Sequence, residues 1–393
     1  MSLNIRAAAS CEVCDALIDD EITKRDALET ALFGADRYAA CIVCRRAVLQ
    51  PWTPEYRLKW NKRQAQLVDE VTRPLRAAWA NGMLAAQGGE KPRITPGEFV
   101  DALNGAFGKQ TTNRATHAKG IVLSGTFTPT PQAVRLSKAP HFKQAVPITV
   151  RFSDNTGIPT LADVAPQARP HGMAIKFHLP DRTDTDLVTH SLNGFPAKNA
   201  EDMRQFILAV IASGPGVAAP TPIQKYLEAH PEAKPFATAP GPAPVSYGTL
   251  AYFGVNTFKF IAADGRATFG RYQIIPETGK QFLSKDDAVN ASHDYLLDEI
   301  RTRVAKGPVR FKFVLQLPVP GDKLDDPSIP WSDTNKTNEL GTIEITSVVS
   351  DSDATQRALL FLPSLLPDGI EPADPMIRFR GLAYPVSYDR RHP

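Results

Sequence analysis

With 393 residues, 42% hydrophobic and 22% charged, the chain has the composition of an ordinary soluble globular protein, long enough for two or three domains. Its net charge of +3 is too small to argue for a nucleic-acid partner, and no apolar run approaches the roughly 20 residues that cross a membrane. The opening "MSLNIRAAAS" lacks the apolar centre of a secretory signal, so a cytoplasmic protein is expected.

Residues 1–85 stand apart. They hold all four cysteines as two C-x-x-C pairs, Cys11 with Cys14 and Cys41 with Cys44. Four thiolates so grouped can hold a structural zinc. The stretch between the pairs reads as helical, however, and cysteines three apart on a helix also pack as small apolar residues or act as redox thiols. Aliphatic residues at helical spacing in "RLKWNKRQAQLVDEVTRPLRAAWANGML" predict a small helical region. The turn-rich "GGEKPRITPG" then leads into a second domain over residues 86–393.

That domain opens on a helix in "TPGEFVDALNGAFG", with threonine and proline at its start, a glutamate in its first turn and a glycine at its stop. From residue 119 the pattern turns to strands: "GIVLSGTFTPT", "VPITVRFSD", "GMAIKFHLP", "GTLAYFGVNTFKFIA", "TFGRYQIIPE", "VRFKFVLQLPVP" and "GTIEITSVVS". Helices are predicted in "AEDMRQFILAVIAS" and "DDAVNASHDYLLDEIRTRVAKG". Seven or eight strands in this setting predict an α+β fold, an antiparallel β-barrel of about eight strands with flanking helices. Such a barrel has room for side chains or one small ligand. The proline-rich "GPGVAAPTPIQKYLEAHPEAKPFATAPGPAPVSYG" cannot form one regular element and predicts a long strap over the core.

Several polar residues need partners. "NRATHAKG" sets Arg114 three positions before His117, and "VRFSDNTG" puts Arg151 and Ser153 on one face of a strand. A buried arginine there is costly unless paired. "DLVTHSLNGFPAKNAEDM" adds His190, Ser191, Asn193, Phe195 and Met203. In "RGLAYPVSYDRRHP", Arg380 and Tyr384 are one helical turn apart; a guanidinium beside a phenol favours the phenolate, a ligand suited to ferric iron. No H-E-x-x-H, P-loop, G-x-S-x-G or dinucleotide fingerprint points elsewhere.

In this order, "RATHAKG", "VRFSDNTG", "RPHGMAIKF", "NTFKFIAADGRATFGRYQIIPETGKQFLS" and "RGLAYP" resemble segments of the haem catalase family, over residues from about 95 to 391. The resemblance implies a haem b cofactor with Tyr384 as its iron ligand and Arg380 keeping the phenol ionised. It implies His117 as the distal acid–base residue, Ser153 as its hydrogen-bond partner, Arg114, Arg151 and Arg391 as contacts of the haem propionates, and Phe195 as an apolar pocket residue. His190, or Ser191 beside it, stands where the family has a distal asparagine. Met203 stands for a pocket phenylalanine, Asn256 for a proximal histidine and His171 for an arginine. The chain stops soon after Tyr384, without the family's C-terminal helical bundle, and in this it resembles the small catalase-related peroxidases. Reduction of hydrogen peroxide or organic hydroperoxides by an unidentified reductant is therefore expected, with weak disproportionation of hydrogen peroxide, and a homo-oligomer is the expected assembly. A hydroperoxide isomerase or dehydrase acting on lipid hydroperoxides, or a non-enzymatic haem carrier or sensor, are the competing expectations.

Overall fold

The first helix, α1 (Pro96–Phe107), begins as its sequence requires. Thr95 accepts a hydrogen bond from the Glu98 backbone, and the Glu98 carboxylate accepts one at 2.7 Å from the Thr95 amide. This reciprocal cap satisfies two of the helix's orphan donors. The structure is a computed structural model that describes residues 94–109, 111–180, 183–238 and 241–392. The four cysteines and the expected boundary near residue 85 lie outside the described residues.

Nine strands follow among the described residues: β1 (Gly120–Pro129), β2 (Val146–Ser153), β3 (Gly172–His178), β4 (Asp184–His190), β5 (Tyr252–Ile261), β6 (Ala267–Pro276), β7 (Val309–Gln316), β8 (Thr337–Val348) and β9 (Ile370–Pro372). All their pairings are antiparallel. The order is β4-β3-β2-β1-β8-β7-β6-β5, and β4 meets β5 to close an eight-stranded barrel, while the short β9 adds to β5 outside the ring. The closing contact is a single registered pair, His190 opposite Phe253. β4 was not among the expected strands. Its aspartates at 184 and 186 read as loop chemistry, but they alternate with Thr185 and Leu187 and face Lys176 of β3, which pairs with Asp186 at 2.8 Å.

Eight further helices among the described residues are α2 (Ala133–Leu136), α3 (Ala200–Ile211), α4 (Pro222–Ala229), α5 (Lys234–Thr238), α6 (Lys285–Asn290), α7 (Tyr295–Lys306), α8 (Ser352–Ala358) and α9 (Pro375–Arg390). The proline-rich strap is not structureless: α4 and α5 are built into it, α4 starting on the Thr221 cap with Pro222 at its first position. α9 buries residues on nearly every side, including Met376, Ile377, Leu382, Ala383 and Tyr388. A helix enclosed all round shows no apolar stripe, which is why periodicity alone does not announce it.

Strand alternation sorts two faces. Val146, Ile148, Val150 and Phe152 of β2 join the barrel interior, where Phe127 packs edge-on to Phe177 and Phe313 at 5.4 and 5.6 Å. Each fully buried ring of this kind contributes on the order of 1.5–3 kcal/mol of transfer free energy. Thr149, Arg151 and Ser153 point outward, so the barrel is a filled core and the polar site lies on its outer wall.

His141 is the exception inside. Its ring lies 4.1 Å from Phe142 and 5.1 Å from Phe177, and among the described residues its Nδ1 has no partner. Burial pushes it down to about 3. An unfolded histidine titrates near 6.5, so between that pH and about 3 the unfolded chain binds the extra proton and stability falls on acidification. The slope from one such group is about 1.4 kcal/mol per pH unit. In His141→Leu, the denaturation midpoint is expected to drop less between pH 7 and pH 4.5 than in the parent. Equal drops in the two proteins would rule this out.

Candidate active site

The site is built from a row of paired positions across the barrel's outer wall. Gly120 of β1 faces Ser153 of β2, Ser153 faces Gly172 of β3, and Gly172 faces His190 of β4. Directly paired residues share a face. Between Ser153 and His190 there is thus no side chain, and the His117 ring occupies that gap. A Cβ on Gly172 would lie 2.9 Å from His117 Nδ1 and 2.7 Å from Ser153 Oγ. His117 Nδ1 and Ser153 Oγ are hydrogen-bonded at 3.1 Å.

His117 is the only non-glycine residue among those described with a left-handed backbone, at φ 56°. Such a conformation costs roughly 1–3 kcal/mol and persists where neighbours over-determine it. Here the Asn155 carbonyl accepts the His117 amide at 3.1 Å, and Arg151 Nη2 donates to the His117 carbonyl at 2.9 Å. Burial first, then the positive charge of Arg151, pushes the imidazole down to about 3. The ring is therefore neutral at physiological pH, with Nδ1 engaged by a hydroxyl.

α9 carries the second cluster. Tyr384 Oη accepts from Arg380 Nε at 3.0 Å and Nη2 at 2.7 Å. Arg380 Nη1 donates to Asn256 Oδ1 at 2.5 Å, and Asn256 Nδ2 donates to Asp374 Oδ2 at 2.8 Å. Asp374 also caps α9 through the Met376 amide at 2.7 Å. Burial pushes its carboxyl up to about 6. Asp374 was not anticipated, although an aspartate directly before a proline is the usual start of a helix. Ser387, just beyond Tyr384 on α9, accepts from the Ala115 amide at 3.4 Å and so ties this helix to the segment leading into His117.

Two buried guanidinium groups and a half-buried third lie together. Arg151 is 3% and Arg391 6% exposed. Arg114 Nη2 and Arg391 Nη2 donate to one carbonyl, Leu359 O, at 2.7 and 2.8 Å. Arg151 is held by Gln356 Oε1 at 3.0 Å and by the His117 and Ala118 carbonyls. Among the described residues none of the three is ion-paired with a carboxylate, and Arg391 Nε has no partner. Burial pushes Arg151 and Arg391 down to about 10, and each of these cations is disfavoured by another of the group or by its desolvation. Three clustered cations taken out of water without an anion are expensive. They make a receptor for a ligand with more than one negative charge.

His190 lies near His117 and Arg380. Its ring is stacked on Phe195 at 6.1 Å and meets Phe236 of α5 edge-on at 6.2 Å. Among the described residues neither ring nitrogen has a hydrogen-bond partner at good geometry. Ser191 accepts the His171 amide at 3.0 Å and is committed to the end of the β3–β4 ladder, which the His190 ring is not. His171 itself pairs with Asp154 at 3.0 Å. Met203 packs in a separate apolar cluster under α1 and α3 with Phe206 and Val100. Gly172, Phe236, Leu359 and Gln356 were not singled out from the sequence. Gly172 had a signal, a glycine opening a strand where a backbone is closely approached.

The residues present suit a flat, ligand-binding, dianionic metal macrocycle: a phenol oxygen with two cationic donors, an unneutralised arginine trio, and a neutral imidazole. Tyr384 would hold its metal, and Arg114, Arg151 and Arg391 its acid groups.

Comparisons with known proteins point the same way. A family model described as catalase matches residues 98–392. A catalase-related peroxidase of Mycolicibacterium paratuberculosis is 39% identical over 303 residues, covering 76% of this chain and 95% of that protein. One of Synechococcus elongatus is 31% identical, covering 76% of this chain and 89% of its own. A solved fungal catalase aligns with a TM-score of 0.64 at 20% identity, over 72% of this chain and 60% of its own length.

Proposed function

Because the chain belongs to the catalase family, and is thereby a haem oxidoreductase, we propose that it works as a peroxidase, reducing hydrogen peroxide or organic hydroperoxides with only weak disproportionation. The observation that carries this reading is a neutral, serine-held imidazole at His117 together with an arginine-held phenol at Tyr384 and an arginine trio that, among the described residues, forms no ion pair with a carboxylate. When bound, the haem supplies the redox metal at which the peroxide's O–O bond is cleaved.

The chain's own residues do the rest. Tyr384 presents an oxygen as metal ligand, and Arg380 offsets its negative charge. Asn256 and Asp374 hold that guanidinium in place. His117 is neutral, so its free nitrogen can accept the peroxide's proton and return it to the outer oxygen, which leaves as water or alcohol. Ser153 fixes the ring's orientation through Nδ1. Arg114, Arg151 and Arg391 bind the macrocycle's carboxylates and recover the cost of their own burial. A mere carrier has no use for a strained, over-determined histidine facing the ligand.

The test is made on the purified full chain. One iron per chain, a high-spin ferric spectrum and peroxide consumption that depends on an added phenol are expected. A chain that takes up no haem, or that consumes peroxide chiefly by releasing oxygen, sinks the reading. No helix of the described residues is long and apolar enough to cross a membrane.

A further inference from the structure

His190 has a chemistry that the reading above does not use. Both its nitrogens are sealed from solvent, and among the described residues neither meets a partner at good hydrogen-bond geometry, although the Leu192 backbone lies close enough to favour the protonated ring. Buried polar atoms are seldom left so, and a fold bears the cost where something else supplies the partner. The ring's carbon faces are held by Phe195 and Phe236 at 6.1 and 6.2 Å, so its plane is fixed while its nitrogens stay open. The pairing register puts it two strands from Ser153, roughly 10 Å along the wall at about 4.8 Å per strand. The His117 ring fills the glycine gap between them. The charged and titratable groups that face His190 are His117 and Arg380. Burial, then Arg380, pushes it down to about 4. At neutral pH it therefore has one N–H and one lone pair. Such a ring can take a proton on one nitrogen and release another from the other. An amide side chain in its place could only donate and accept hydrogen bonds.

The stoichiometry of the reaction gives this a use. Reduction of a hydroperoxide runs ROOH + 2 e⁻ + 2 H⁺ → ROH + H₂O. The O–O bond breaks and two O–H bonds form; with a phenol as donor the two protons are those its hydroxyls give up on one-electron oxidation, ROOH + 2 ArOH → ROH + H₂O + 2 ArO•. In disproportionation the second hydrogen peroxide carries its two hydrogens into the site itself, whereas a phenol that gives up its electron at a distance releases its proton outside the site. His117 moves the substrate's own proton from one oxygen to the other, which leaves the net uptake without a carrier. Resting on the peroxidase reading, we propose that His190 is the relay by which the two external protons reach the site, the electrons coming from two molecules of a one-electron organic donor such as a phenol. Each donor gives up one electron and its hydroxyl proton, and the hydroperoxide takes up two of each. His190 ends each transfer as the neutral ring it began as, its tautomer reversed.

The experiment compares the haem-loaded parent with His190→Asn, which keeps a hydrogen-bond donor of similar size and removes the relay. The readouts are phenol oxidation and oxygen release, each with hydrogen peroxide and each in H₂O and D₂O. The ratio of phenol oxidation to oxygen release is expected to fall at least ~10-fold, with a larger solvent isotope effect on phenol oxidation, in line with the loss of a positioned proton-transfer group. A ratio and isotope effect equal to the parent's overturn the relay. A second measurement does not depend on turnover. The ¹⁵N shifts of His190 in the haem-free full chain should show a neutral ring exchanging between tautomers at pH 7. A ring locked in one tautomer overturns the proposal even if His190→Asn folds poorly. A parent that binds haem yet oxidises no phenol overturns the peroxidase reading, and this inference with it.

Discussion

Tyr384→Phe is expected to leave the barrel folded and to weaken haem retention at least ~100-fold, since even outer partners of a metal ligand are commonly worth 10–100-fold in affinity. The ring stays, so the packing of α9 is kept. What goes is the one oxygen that receives Arg380 Nε and Nη2 at 3.0 and 2.7 Å. Arg380 then keeps only Asn256 as a partner, and two donors of a charged group are left facing the space that the ligand would occupy. Stranding such donors costs about 1–3 kcal/mol, well short of what unfolds a domain. Haem content per chain, set beside far-ultraviolet circular dichroism, checks both halves of the expectation. Full haem retention with the parent's absorption spectrum would remove Tyr384 as the metal ligand and the assignment with it.

The contrast between what was and was not readable has a physical basis. α1 was legible because its cap, proline and stop glycine are local signals. β2 was legible because Val146, Ile148, Val150 and Phe152 alternate with Thr149, Arg151 and Ser153. The Arg380–Tyr384 contact was suggested by a four-residue spacing, and the family resemblance gave that spacing its weight. β4 was not legible, because its outward positions are occupied by Asp184, Asp186 and His190, whose partners Lys176 and Gly172 lie on another strand. A charge that is paired across strands looks, in one dimension, like a charge in a loop. The same holds for the arginine trio. Arg114, Arg151 and Arg391 are far apart in sequence, and only the fold reveals that two of them converge on Leu359 O. Sequence marks the residues that resemble a family's site. It does not show Gly172, whose contribution is the absence of a side chain, or Phe236, which the proline-rich strap delivers through α5.

His117→Ala is expected to retain haem and lose peroxide reactivity by ~10²–10⁴-fold, the range for removal of a positioned acid–base group. Retention follows because Tyr384, Arg151 and Arg391 lie on other segments, Arg114 is anchored by its own bond to Leu359 O, and Arg151 bonds the backbone carbonyl of residue 117, which alanine keeps. Loss follows because no other group holds a free nitrogen against Ser153. Truncation could also act by reshaping the strained loop at φ 56°, so a second variant separates position from presence. Gly172→Ala leaves His117 in the chain but puts a methyl group 2.9 Å from its Nδ1 and 2.7 Å from Ser153 Oγ. Ring and hydroxyl cannot both stay, and an intact but displaced imidazole should cost a large part of what its deletion costs. The pH profile adds an independent sign. Only the neutral ring accepts a proton, and burial holds its titration near 3, so the parent's rate of reaction with peroxide should stay level from pH 8 down to pH 5 instead of falling through the usual histidine range near 6.5. Stopped-flow mixing with peroxide measures all three. If His117→Ala reacts as fast as the parent, the proton is handled elsewhere; if only Gly172→Ala is unimpaired, the imidazole matters but its seat against β3 does not.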